Sequence, residues 1–111
     1  MDIDFKSIKD VGVININGEL DALSSPELTR FLGEKVENKY LNLVVNLQEL
    51  KYSSSAGIRV FLGMARESRQ KGGDLRIAAV QPSVEKIFKL SKFDKIVKIF
   101  HTEEDAVNSY S

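Results

Sequence analysis

A chain of 111 residues has room for one domain and little beyond it, and at 42% hydrophobic and 29% charged residues it can bury one modest core. Sixteen basic residues balance 16 acidic ones, which argues against a nucleic-acid binder held by bulk electrostatics. The absence of cysteine removes disulfides, thiol catalysis and thiolate-bound metals, and no apolar run approaches the length of a bilayer span.

The charged start, MDIDFKSIKD, lacks the apolar core of a signal peptide, so a cytoplasmic protein without a membrane partner is expected. Ile3 and Phe5 alternate with polar neighbours, and Val11 to Asn17 is rich in β-branched residues. Two strands joined by a turn through Lys9, Asp10 and Gly12 follow from that pattern. Gly18 is expected to end the second strand. Ser25 reads as an N-cap with Pro26 at the first helical position, and Leu28, Phe31, Leu32 and Val36 recur at helical spacing as far as about Asn38. LNLVVNL, Leu41 to Leu47, is the nearly continuous apolar run of a strand buried on both faces.

A second helix opens near Ala56 and closes at Lys71 to Gly73, where glycines after a helix read as its C-cap. Asp74 to Val80 reads as a strand. Pro82 and Ser83 start a third helix carrying Val84, Ile87, Phe88 and Leu90, and KIVKIF supplies a last short strand. Thr102 then caps a terminal helix whose Glu103, Glu104 and Asp105 suit the positive end of a helix dipole. Strands and helices alternate from the second strand onward, which predicts right-handed crossovers and a single α/β domain. Its sheet is expected to be mixed but mostly parallel, with four to five strands and about four helices. The five lysines Lys86, Lys89, Lys92, Lys95 and Lys98 fall close together and read as a solvated face.

The groups an enzyme needs are scarce. The one histidine, His101, flanks the last helix far in sequence from any cluster of nucleophiles. A serine hydrolase on an α/β sheet requires a G-x-S-x-G elbow, and the nearest match, Ser53-Ser54-Ser55-Ala56-Gly57, lacks the first glycine. No phosphate-binding G-x-x-x-x-G-K-[ST] loop occurs. Neither catalysis nor a cofactor or metal is expected.

The three serines fall where a strand turns into a helix, at the carboxyl end of the strand, the edge at which open α/β sheets carry their sites. A phosphate on a serine there meets unpaired N–H groups and the helix dipole, so the fold should survive the modification. The alternative is that the serines cap the helix and fill a polar loop. Gly57 permits close approach of backbone or ligand. Along the helix, Ile58, Phe61, Leu62 and Ala65 form an apolar stripe for the core. Ala56, Val60 and Met64, with Gly63 beside them, fall on another side and are expected to be partly exposed, with Arg59 between the stripes. That second stripe is either a docking surface or a core stripe widened against a neighbouring helix.

INGELDALSSPELTRFL, LNLVVNLQELKYSSSAGIRVFLG and GGDLRIAAVQPSVEKIFKLSKFDKIVKIFHTEEDAV together resemble a STAS domain, and particularly the bacterial anti-sigma-factor antagonists. The resemblance spans nearly the whole chain. It implies a regulator that works by partner exchange: the unphosphorylated protein binds an anti-sigma factor that is often a serine kinase, the kinase phosphorylates a serine at the start of the second long helix, and a serine phosphatase reverses the change. Family members carry the phosphoacceptor two residues before the glycine, which implies Ser55, with Ser54 as the alternative. Ser54 stands in place of an acidic neighbour, Ala56 in place of a second hydroxyl, and Asn46 where an aspartate is common; Asp21 matches an acidic position near the phosphorylation site. Ser53 and Gly57 complete that neighbourhood, and Ala56, Arg59, Val60, Gly63 and Met64 the implied partner surface. An unswitched scaffold in a sensory or transport assembly, and a nucleotide or small-ligand sensor, stay open as alternatives.

Overall fold

A computed structural model covers all residues, Met1–Ser111. The first two strands, β1 (Asp2–Ile8) and β2 (Val11–Leu20), form an antiparallel hairpin with Ile8 opposite Val11. Its turn is only Lys9 and Asp10, both left-handed at φ 50° and 66°, the geometry that matches strand twist. Gly12, expected in the turn, already pairs with Ser7 in the strand.

Gly18 does not end β2. At φ 118° it makes an irregularity in the ladder, and the strand changes neighbour there. Before it, Gly12 to Asn15 pair in parallel with Leu43 to Asn46 of β3 (Asn42–Asn46); after it, Gly18 to Leu20 pair in parallel with β4 (Leu50–Ser53). The sequence reads one strand ahead of the serines where the fold has two, and the second, β4, carries the serines to the sheet edge. The remaining strands, β5 (Asp74–Ala78) and β6 (Ile99–Phe100), extend the order to β1-β2-β3-β5-β6, with β4 beside β2 alone. The sheet thus has six strands, parallel except for the first hairpin.

Of the expected strand KIVKIF only the last two residues qualify. A 3-10 turn at Phe93–Lys95, entered through left-handed Lys92, places Phe93 and Val97 in the core instead. Four helices complete the fold: α1 (Ser25–Glu37), α2 (Ser55–Gln70), α3 (Pro82–Leu90) and α4 (Glu103–Asn108). The N-cap of α1 is Ser24, one residue before the expected Ser25, which is buried as the first helical residue. Thr102 caps α4 as expected, its Oγ1 accepting from the Asp105 amide at 3.0 Å.

Strand alternation sorts the side chains into two layers. Ile14, Ile16, Leu43, Val45, Leu75 and Ile77 face α1, α2 and α3, against Leu28, Leu32 and the aromatic trio Phe61, Phe88 and Phe93. Val11, Val13, Val44 and Ala78 face the other way, under Ala106 and Val107 of α4. Leu43 to Leu47 are all buried, as a strand covered on both faces requires. Leu90, placed with the apolar residues of the third helix, is 76% exposed because the helix ends there and the chain turns away. The five clustered lysines are all exposed, and Lys89 pairs with Glu85 at 3.0 Å.

Candidate functional site

The parallel ladder of β2 and β4 sets Leu20 beside Ser53, and the Ser54 amide donates to the Leu20 carbonyl at 2.8 Å. That register delivers Asp21, the next residue of one chain segment, to the start of α2 in the other. Asp21 is spent on its own loop. Its Oδ1 accepts from the Leu23 amide, the Ser24 amide and the Ser24 hydroxyl at 3.0, 3.0 and 3.1 Å, and these bonds, the Ser24 amide first, hold its carboxyl below the usual carboxylate range.

The three serines separate by environment. Ser53 ends β4 and is 1% exposed, its hydroxyl donating to the Ser54 carbonyl at 3.2 Å. It is a core residue, not the loop residue its sequence neighbours imply. Ser54 is the N-cap of α2: its backbone is extended and its Oγ accepts from the Ala56 amide at 3.2 Å, satisfying one of the orphan donors of the first turn. Ser55 is the first helical residue, exposed, with its hydroxyl in no hydrogen bond. Only Ser55 presents a free nucleophilic oxygen to solvent.

Gly57 is buried because α2 lands directly on the ends of β2 and β4. A Cβ there lies 2.6 Å from Leu20 Cδ2 and 2.6 Å from Ser53 Oγ, so the glycine sets how closely the helix start approaches the sheet. Farther along α2, Ile58, Phe61, Met64, Ala65 and Ser68 are buried, while Val60 and Leu62 flank them half-buried. The two stripes of the sequence reading are therefore one. Met64, expected on the partner surface, belongs to the core at 5% exposure, because α1 packs on α2 and widens its buried face. Ala56 is half-buried, and Arg59 and Gly63 are exposed.

Asn46 is not brought to the serines. It shares the α4 face of the sheet with Val44, and its amide donates to Glu103 Oε1 at 3.1 Å while its Oδ1 accepts from the Gln48 amide at 2.9 Å. Glu103 also pairs with Lys6 at 2.9 Å. Burial pushes its carboxyl up, and the bonds from Lys6 and Asn46 more than reverse this, so it lies below the usual range. Asn46 thus anchors α4. His101 is exposed just before α4 and has no hydrogen bond to any serine.

Two surface features escaped the sequence reading. Leu23, beside Asp21, is 92% exposed. Arg66 continues the exposed line of Arg59 two turns on, a position that helical spacing from Arg59 makes legible.

The site is thus a serine-capped helix that springs from the short strand β4 of a mixed sheet. The model of the STAS domain matches residues 2–106, and the chain belongs to the STAS domain family. It is 27% identical over 108 residues to the anti-sigma F factor antagonist of Paenibacillus polymyxa, covering 96% of this chain and 92% of that one. Among solved structures, an anti-sigma factor antagonist from Mycobacterium paratuberculosis matches with TM-score 0.89 at 21% identity, over 97% of this chain and 92% of that one. The anti-sigma factor antagonist SpoIIAA in its unphosphorylated form gives 0.84 at 22% identity, over 98% and 96%. The phosphorylated form of SpoIIAA from Bacillus gives 0.76 at 20% identity, over 99% and 100%. The three structures share this fold.

Proposed function

We propose that the chain is a cytoplasmic anti-sigma-factor antagonist that works by partner exchange. Unmodified, it binds an anti-sigma factor that is also a serine kinase, and the sigma factor is released. The kinase moves the γ-phosphoryl group of ATP to Ser55 Oγ; ADP leaves and the hydroxyl proton passes to the kinase's base. The complex then parts, and a serine phosphatase hydrolyses the ester to restore the hydroxyl and free phosphate. The chain itself supplies the acceptor and the docking face and no catalytic group.

The observation that carries this reading is the division of labour among the serines. Ser53 is buried and Ser54 is occupied as the cap, which leaves Ser55 as the accessible acceptor. The names of the relatives point the same way. Phosphorylation adds about −1.5 to −2 charge at pH 7 beside Ala56, Arg59, Val60 and Gly63, the surface part of α2. Weakening an interface a hundredfold takes about 2.7 kcal/mol, which is within reach of one charge desolvated without a partner.

The test is binding to the cognate anti-sigma kinase. Ser55→Asp should lose binding at least tenfold, and Ser55→Ala should bind yet resist release by ATP. Ser54→Ala should still be phosphorylated. Equal binding by the Asp and Ala variants ends this reading. Intact mass of the protein from its own cells separates it from an unswitched scaffold, which carries no phosphate on Ser55.

A further inference from the structure

The exposed face of α2 carries a charge pattern that the acceptor serine alone does not explain. Ser55, Arg59, Gly63 and Arg66 are all exposed and fall within a sector of about 80° at 100° per residue. The third arginine of the helix, Arg69, is engaged: it donates to Asp74 at 2.8 Å and to the Ile96 carbonyl at 2.7 Å. The helix has a single acid, Glu67, which pairs with Lys71 at 3.7 Å. Arg59 and Arg66 have no anionic partner in the folded chain. In a protein whose formal net charge is zero, one face of one helix therefore presents two uncompensated guanidinium groups.

The spacing of these arginines from Ser55 differs in kind. Arg59 is four residues on, so the two Cβ atoms stand about 5–6 Å apart on neighbouring turns. A phosphate on Ser55 lies within reach of that guanidinium, whose planar fork matches phosphate oxygens. Arg66 is a further seven residues along, about 16 Å from Ser55 on the helix axis. That is roughly twice the screening length at physiological ionic strength.

We propose that a phosphate on Ser55 captures Arg59 in cis, and that in the unmodified protein Arg59 is the cation that docks an acidic segment of the partner. This rests on Ser55 being the modified residue. Modification then acts twice on one contact: it adds negative charge to the docking face and withdraws the positive charge that matched the partner. The face changes from two free positive charges to about zero, with no change of fold. Association weakened in this way is lost through removal of electrostatic complementarity, and it depends on salt before modification more than after. The amides of the first turn also face the phosphate, but they are the same whatever stands at residue 59.

The experiment uses the full chain with phosphoserine installed at position 55 during synthesis, and follows the phosphorus NMR signal against pH. The second ionisation of phosphoserine lies near pH 6. It should rise by about 0.2–0.4 pH unit in Arg59→Gln, and by under about 0.1 in Arg66→Gln. Both variants should keep the parent's circular dichroism, since both side chains are exposed. Identical titrations of parent and Arg59→Gln, or equal shifts in the two variants, overturn the capture. For the docking half, the unmodified chain is titrated at low salt with a synthetic hexaglutamate peptide while the arginine side-chain NMR signals are followed. The Arg59 signal should move, and should stay in place once Ser55 carries phosphate; a stationary Arg59 signal in the unmodified chain overturns docking. Phosphoserine is installed without a kinase, so the outcomes are separable. A native protein never phosphorylated on Ser55 ends the switch, and a flat titration ends the capture alone.

Discussion

Gly57→Ala tests whether the start of α2 is held by contact with the sheet. The added Cβ falls 2.6 Å from Leu20 Cδ2, 2.6 Å from Ser53 Oγ and 2.7 Å from Leu20 Cγ. Both neighbours are fully buried, so neither side chain swings into solvent, and the helix start has to lift or the Leu20 pocket has to distort. Overpacking of this kind costs about 1–3 kcal/mol, offset by at most about 1 kcal/mol of helix propensity and by less in a first turn. The net loss is about 1–2 kcal/mol, or a fall in Tm of roughly 4–8 °C for a chain of this size. Gly63→Ala is the control on the same helix. Gly63 is exposed and nothing stands within 4 Å of its added Cβ, so that variant should gain about 0.5–1 kcal/mol from propensity alone. Urea titrations followed by circular dichroism read both, with unchanged m-values showing that the unfolded states are comparable. The reasoning fails if Gly57→Ala is as stable as the parent, or if the two variants move in the same direction.

Two further outcomes follow from the site. Ser54→Ala should lose about 1 kcal/mol of stability with the N-cap, whereas Ser55→Ala should stay within about 0.5 kcal/mol of the parent; thermal melts giving the reverse order would refute the assignment of Ser54 as the cap. Glu103 lies below its ordinary value of 4.5 in the folded chain, so its contribution is present above that pH and lost as pH falls through the folded value. Glu103→Gln should therefore be destabilised at pH 7, with the gap to the parent closing in acid; denaturant midpoints measured from pH 7 down to about 3 check this, and a gap that is flat or widens in acid refutes it.

Periodicity carried most of the fold because it records which faces are buried. The apolar run at Leu41 to Leu47, the glycines after α2 and the Thr102 cap each depend on local chemistry, and each is where the sequence places it. The errors fall where a distant segment decides. Gly18 reads as a strand breaker, yet it bends β2 across to β4, and β4 exists only because β2 lends it a partner. The segment before Ile99 reads as strand, but burial of Phe93 and Val97 coils it into a turn.

At the site the same division holds. The order strand, serines, glycine, helix is written in the chain, and the cap and the first helical residue follow from it by local hydrogen bonding. Met64 and Asn46 show what local reading misses. The first is buried because α1 covers it, and the second, set on the α4 face by strand alternation, is tied there to Glu103, 57 residues away in sequence. The sequence by itself determined the alternation of elements, the helix start at the serines and the family they point to, since these depend on neighbours within a few residues. Only the tertiary structure decided that Ser53 is buried, that Gly57 is wedged against Leu20 and Ser53, and that no distant segment brings Arg59 an anionic partner. Those are properties of packing between segments remote in the chain, and no local pattern contains them.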